Sequence, residues 1–225
     1  MDASTPQLHP RMTKPASLSD QVYEQLRSDI ISAQRHPGEK LVELEIAAEM
    51  GTSQGPVREA LQRLERDGLV ERQARSATYV STISMDEMYE LFSVRSVIEG
   101  YAIRRAAQKI TSEQCNYLEH LILEMAQAGQ RGDMITLAEY DMRFHRTIVE
   151  CGSSAGLLRV WITLSSQIQR FVVQSHPRHY SDLVEIGTRH QSIVSALRQH
   201  DSERAAQAVQ DHIMLIWPKI NLEGL

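Results

Sequence analysis

Apolar residues in the first third of the chain recur at helical spacing. Val22, Leu26 and Ile30 repeat every four positions, with Ser19 placed to cap a helix that ends near His36-Pro37-Gly38. A short extended piece, Lys40-Leu41-Val42, leads to a second helix over 43–50, stopped by Gly51. Ser53 is placed to cap a third helix over 54–67. Pro56 lies in its first turn, where a missing N–H costs nothing, and Gly68 follows as its stop. Residues 69–72 and 78–81 then alternate like two strands joined by a polar turn. Beyond Ile83-Ser84 every segment predicts helix, over 85–109, 111–129, 133–150, 155–174, 181–199 and 202–216, with Pro218 just past the last. Ser84 and Glu87 form a capping box, and Thr111 caps the next helix. The fold class is therefore mainly α. A loose arm over 1–17 and a winged helix-turn-helix over 18–82 precede an all-α antiparallel six-helix bundle over 84–220.

Composition narrows the function classes. No apolar run approaches the ~18 residues of a membrane span, and the N-terminus lacks a charged-then-apolar signal pattern. Cys115 and Cys151 match no disulfide or metal spacing, so a reduced, cytoplasmic setting is expected. The net charge is −5, shared as −2 before position 85 and −3 after it. Bulk electrostatics would not hold such a chain on nucleic acid, so any grip on DNA must come from local placement.

The third predicted helix supplies that placement. Thr52, Ser53, Gln54, Gly55 and Arg58 gather hydroxyls, an amide and a guanidinium around the exposed N–H groups of its first turn. Hydroxyls suit phosphate oxygens, Gln54 suits a base edge, and Arg58 could reach a guanine or a phosphate. Arg63 and Arg75 lie on or beside the same module. Spacing alone leaves an ordinary helical hairpin with solvated arginines equally open.

The run from Leu44 to Val70, with Pro56-Val57-Arg58-Glu59-Ala60-Leu61 at its centre and Gly68-Leu69-Val70 at its end, resembles the GntR family of bacterial transcriptional regulators. The resemblance implies a winged head that reads a double-stranded operator. Two departures bear on specificity. The family usually has Arg where this chain has Gln54, and a glycine at the wing tip where it has Arg75-Ser76-Ala77. An amide at position 54 suits adenine better than guanine.

Nine histidines occur in the chain, and position sorts them. His9, His36, His176 and His179 sit in irregular polar stretches, and His120 and His200 have mixed surroundings, so solvent exposure is expected for these. Asp141 and His145, one turn apart, lie on the apolar stripe Leu137, Ala138, Phe144 and Ile148. His190 shares a face with Ile186, Ile193, Val194 and Leu197, and His212 with Ala205, Ala208 and Val209. Each stripe must face the bundle interior. Burying these four groups separately would cost several kcal/mol, whereas a divalent cation would bring all of them into use. Imidazole with carboxylate suits zinc first, then nickel, manganese or iron, rather than calcium. The plainer arrangement is an Asp–His pair beside two core histidines bonded to backbone.

Tyr140 to His145, His190 to Leu197, and His212 resemble the FCD ligand-binding domain of the FadR subfamily, in its VanR-like six-helix branch. The resemblance implies that Asp141, His145, His190 and His212 bind a metal that helps hold a small carboxylate effector. It also matches Arg95, in Val94-Arg95-Ser96-Val97-Ile98-Glu99, to an arginine that could pair with the acid's other end. A structural ion pair from Arg95 to Glu99 is at least as consistent with the spacing. The whole reading is a ligand-responsive regulator, expected to be a repressor, binding a palindromic operator as a homodimer. A metal-dependent enzyme acting on small carboxylates is the rival, but the sequence offers no convincing general base beside the ligands, a buried Glu such as Glu139 being the kind it would need. Gly152-Ser153-Ser154-Ala155-Gly156 matches G-x-S-x-G, but it joins two predicted helices where a nucleophile elbow needs a strand before a helix.

Overall fold

The computed structural model describes residues 16–73, 77–152 and 155–222. The head begins with α1 (Leu18–Ile31), β1 (Lys40–Leu41), α2 (Glu43–Glu49) and α3 (Gln54–Arg66), and ends with β2 (Val70–Gln73) and β3 (Ala77–Val80). The cap of α1 is Ser17 rather than Ser19. Its Oγ accepts the Asp20 N–H at 3.1 Å while the Asp20 carboxylate accepts the Ser17 N–H at 3.1 Å, which satisfies two otherwise unpaired donors. The strands form one antiparallel sheet in the order β1-β3-β2, with Val70 opposite Val80 and Lys40 opposite Tyr79. Leu26, Ile30, Ile46, Val57, Leu61, Leu64 and Leu69 close the core beneath it. Gly51 and Gly68 take positive φ at the ends of α2 and α3, where a Cβ would be strained.

The second region contains α4 (Met85–Ala107), α5 (Ser112–Gln130), α6 (Met134–Gly152), α7 (Ala155–His179), α8 (Val184–Thr188), α9 (Gln191–Arg198), α10 (Ser202–Met214) and α11 (Trp217–Leu222). Three details differ from expectation. The fifth helix is divided into α8 and α9, because Gly187 lies close against α5 and His190 takes the Ile186 and Gly187 carbonyls through its ring. Next, α7 runs on past Gln174, through Pro177, to His179. Finally, Pro218 does not end the chain's helices. It occupies the second position of α11, where its ring fits the first turn.

The long helices bury Ile103, Leu118, Leu121, Met125, Leu137, Phe144, Ile193 and Leu197 in a core separate from that of the head. The close contact of α4 with α6 depends on Gly152, where a Cβ would sit 1.8 Å from the Ala102 carbonyl oxygen. The head rests on α7. There the Arg170 guanidinium donates to the Ser81 carbonyl at 2.9 Å, and the Gln174 amide donates to the Ile30 and Ile31 carbonyls at 3.1 and 3.3 Å.

Candidate metal centre and nucleic-acid interface

The buried face of α6 carries Leu137, Ala138, Asp141, Phe144, His145 and Ile148, so the bundle core takes Asp141 and His145 with it. His190, at the α8–α9 joint, and His212, on α10, come to the same place. One potential ligand atom from each of the four lies within 4.8 Å of all the others. His190 Nε2 stands 3.0 Å from Asp141 Oδ1 and 3.3 Å from His145 Nε2. The His190 ring donates from Nδ1 towards the Ile186 and Gly187 carbonyls at 3.0 and 3.1 Å, which leaves its Nε2 a lone pair facing the cluster.

Glu99 of α4 orients the opposite side. Its Oε2 lies 2.5 Å from His145 Nδ1, and its Oε1 accepts from Arg95 Nε at 2.7 Å and from Trp161 Nε1 at 2.8 Å. With Nδ1 held by Glu99, His145 presents Nε2 to the cluster.

The charges suit a cation. Burial alone would raise the Asp141 pKa, but His145 and His190 outweigh it and hold the carboxyl well below its usual range. Burial pushes the His145 pKa down, and burial with the neighbouring rings of His190 and His145 pushes that of His212 far down. A low carboxyl pKa at Asp141 and lowered pKa values at His145 and His212 suit metal ligation, which takes carboxylate ionised and imidazole neutral. The buried Nδ1 of His212 has no hydrogen-bond partner among the described residues, an orphan that ligation or an ordered water would relieve. The donor set therefore fits a transition metal ion.

Arg95 answers both sequence readings. Its Nε is spent on Glu99, whereas its buried Nη2 has no partner among the described residues. A cavity of about 30 Å³ opens beside it, lined also by Asp141, His176, Tyr180, Arg189 and His212. His176 is a correction. It is buried on α7, not solvated, and desolvation takes its pKa down to about 4. The signal was present, because Ile168, Val172 and His176 continue one buried stripe. His179 likewise lies half-buried in the same helix.

At the other end of the molecule, Ser53, Gln54, Gly55 and Arg58 are exposed at the start of α3 and Thr52 is half-buried. The Ser53 side chain makes no capping bond, so its hydroxyl is available to a phosphate. Arg58 is held by Glu43 of α2 at 2.8 Å. We expect Glu43→Gln to tighten DNA binding several-fold at low salt and to steepen its salt dependence, because it frees Arg58 and removes a charge that repels phosphate. Titrating a fluorescent duplex at several salt concentrations tests this, and an unchanged affinity would count against Arg58 as a contact. Arg63 is occupied otherwise. It bonds Asp20 at 2.6 Å and lies over the Tyr23 ring at 3.9 Å, clamping α3 to α1. Arg63→Ala should therefore cost about 1 kcal/mol of stability or less, since the pair is partly solvated, and urea unfolding would show it. Arg75 lies outside the described residues.

Comparisons with known proteins match these two regions separately. Residues 18–80 match the family described as bacterial regulatory proteins, gntR family, and residues 90–214 match the FCD domain. The chain is 31% identical over 216 residues to the probable D-xylose utilization operon transcriptional repressor of Paenarthrobacter nicotinovorans, covering 92% of this chain and 90% of that one. It is 31% identical to the HTH-type transcriptional repressor RspR of Escherichia coli (strain K12), covering 93% and 90%. Among solved structures, E. coli McbR/YncC superposes with a TM-score of 0.78 over 94% of this chain and all of that one, at 20% identity. A putative transcriptional regulator GntR from Rhodococcus sp. RHA1 superposes at 0.74 over 92% and 97%, at 21% identity.

Proposed function

Starting from the fact that the chain belongs to the gntR family of bacterial regulatory proteins and carries an FCD domain, we propose that this transcriptional regulator is a metal-dependent sensor of a small organic acid. Its relatives are named as regulators and repressors, not enzymes. In this reading residues 18–82 read DNA and residues 84–220 sense the effector. Two copies bind a palindromic operator in the cytoplasm and repress transcription from it. No described helix is long and apolar enough to cross a membrane.

One observation carries the proposal. Four metal-type donors, Asp141, His145, His190 and His212, converge, and two of them, Asp141 and His212, line the small cavity that Arg95, with its unpartnered Nη2, also lines. The cation, with zinc preferred over nickel, manganese or iron, would supply positive charge and open positions for an acid's oxygens. Arg95 would take a further oxygen of the acid, and Glu99 would keep both Arg95 and His145 in place.

The response passes through α7. Val172 and His176 line the cavity, while Arg170 and Gln174, on the same helix, hold the head. An acid that presses on Val172 and His176 would shift the helix on which the head rests, and so bias operator affinity. Thr52, Ser53, Gln54, Gly55 and Arg58 are the proposed contacts to DNA.

In vitro selection of random duplexes by the full-length, metal-loaded protein tests the reading. Enrichment of a short palindrome, weakened by an organic acid, is the expected result. A folded, metal-loaded protein that enriches nothing would overturn it.

A further inference from the structure

The inner cavity is too small for a whole metabolite. At about 30 Å³ it has the room of one water molecule, which admits little more than a single carboxylate head. The rest of an acid must lie elsewhere. A second, more open space of about 480 Å³ is lined by Arg189, Ser192, Arg204, Gln207, Asp211 and His212. Arg189 and His212 line both spaces, so only their side chains need stand between the inner cavity and the outer cleft.

The outer cleft is cationic in a chain whose net charge is −5. It presents the guanidiniums of Arg189 and Arg204 against the single carboxylate of Asp211, which is already engaged by the Gln207 amide at 2.8 Å. Arg189 is incompletely bonded. Its Nη2 pairs with Glu185 of α8, while its buried Nε has no partner among the described residues. Glu185 is 41% exposed and can swing into water.

We propose that Arg189 is the second anchor of the effector and that the effector is a dicarboxylate. One carboxylate occupies the inner cavity beside Arg95. The other takes the place of Glu185 on Arg189 and can also use the unpartnered Nε. Only an anionic group can replace Glu185 without leaving the guanidinium unbalanced, and a carboxylate matches its two-pronged donor geometry. A hydroxyl would have to compete with Glu185 instead of replacing it. This inference rests on the carboxylate-sensing reading above and adds the number and spacing of the acid groups.

The test compares chain-matched acids on the full-length protein loaded with zinc. Succinate against butyrate, glutarate against pentanoate, and gluconate as a polyhydroxy monoacid are titrated by calorimetry, with metal content measured alongside. We expect the dicarboxylate of one pair to bind about tenfold tighter than its monocarboxylate, the effect of one charge-assisted bond. Arg189→Gln should erase that preference, leave the monocarboxylate within about twofold, and leave metal content unchanged. Arg189→Lys should restore part of the preference. Equal binding within each pair, or a preference that survives Arg189→Gln, overturns the inference, and so does gluconate as the tightest ligand. These outcomes leave the carboxylate reading intact. Binding of no acid to the loaded protein overturns both.

Discussion

Glu99→Ala is expected to lower folding stability by about 3–5 kcal/mol, the cost of breaking a buried ion pair from one side. Glu99 is fully buried, and its carboxylate is the common acceptor for Arg95, His145 and Trp161. Removing it leaves the Arg95 guanidinium 3% exposed without its hydrogen-bonded counter-charge, and leaves the Trp161 N–H and His145 Nδ1 without their acceptor. Glu99→Gln should lie between the two, because its amide oxygen still accepts one or two of the three bonds but carries no charge.

Acid gives an independent check. Burial by itself would raise the Glu99 pKa, yet Arg95 and His145 outweigh it and hold the carboxyl at about 2, against 4.5 for an ordinary glutamate. A carboxyl depressed by folding stabilises fully above the unfolded pKa, and that contribution is lost as pH falls through the folded one. The contribution of Glu99, about 3 kcal/mol for a shift of this size, should therefore persist above pH 4.5 and fade between there and about pH 2. Urea unfolding of wild type and both variants across that range measures it. A Glu99→Ala protein within about 1 kcal/mol of wild type at neutral pH would contradict the account.

Much of this arrangement could be read along the chain, because local chemistry wrote it there. The capping box at Ser84–Glu87 and the cap at Thr111 mark helix starts within a few residues, and both are present, Thr111 with Gln114 completing a second box. Asp141, His145, His190 and His212 were legible because each polar group interrupts an otherwise apolar stripe, and a stripe's direction is set by helical periodicity.

What was not legible depends on tertiary neighbours. The extension of α7 over Gln174 to His179 reads as loop, since Ser175, His176, Pro177 and Arg178 are polar or break helices, and packing against Phe171 and Tyr180 overrides them. Arg63 reads as a free cation on the recognition helix until α1 brings Asp20 and Tyr23 to it from some forty residues away. Glu99 reads as a partner for Arg95 alone, because His145 and Trp161 reach it from two other helices.

Asp141→Ala should abolish tight metal binding, a loss separable from any loss of packing. Asp141 is the one carboxylate among the four donors, so its removal takes away the centre's only negative charge as well as a ligand. A ligand that binds only the folded state at a hundred times its Kd adds about 2.7 kcal/mol of stability. Wild type should show a gain of that order when zinc is added to metal-stripped protein, and Asp141→Ala almost none. In stripped protein the substitution should cost only its metal-independent part, the His190 contact at 3.0 Å, the weak approach of His145 at 3.9 Å and the attraction of Arg95. Measuring unfolding with and without zinc, in wild type and variant, isolates the metal-dependent part as the non-additive remainder. Asp141→Asn keeps an oxygen but not the charge, and should retain a fraction of the gain. Elemental analysis after dialysis supplies the direct reading. Wild-type metal content in Asp141→Ala would show that the ion, if bound, is held by other residues, and wild type that gains nothing from zinc, nickel, manganese or iron would remove the centre altogether.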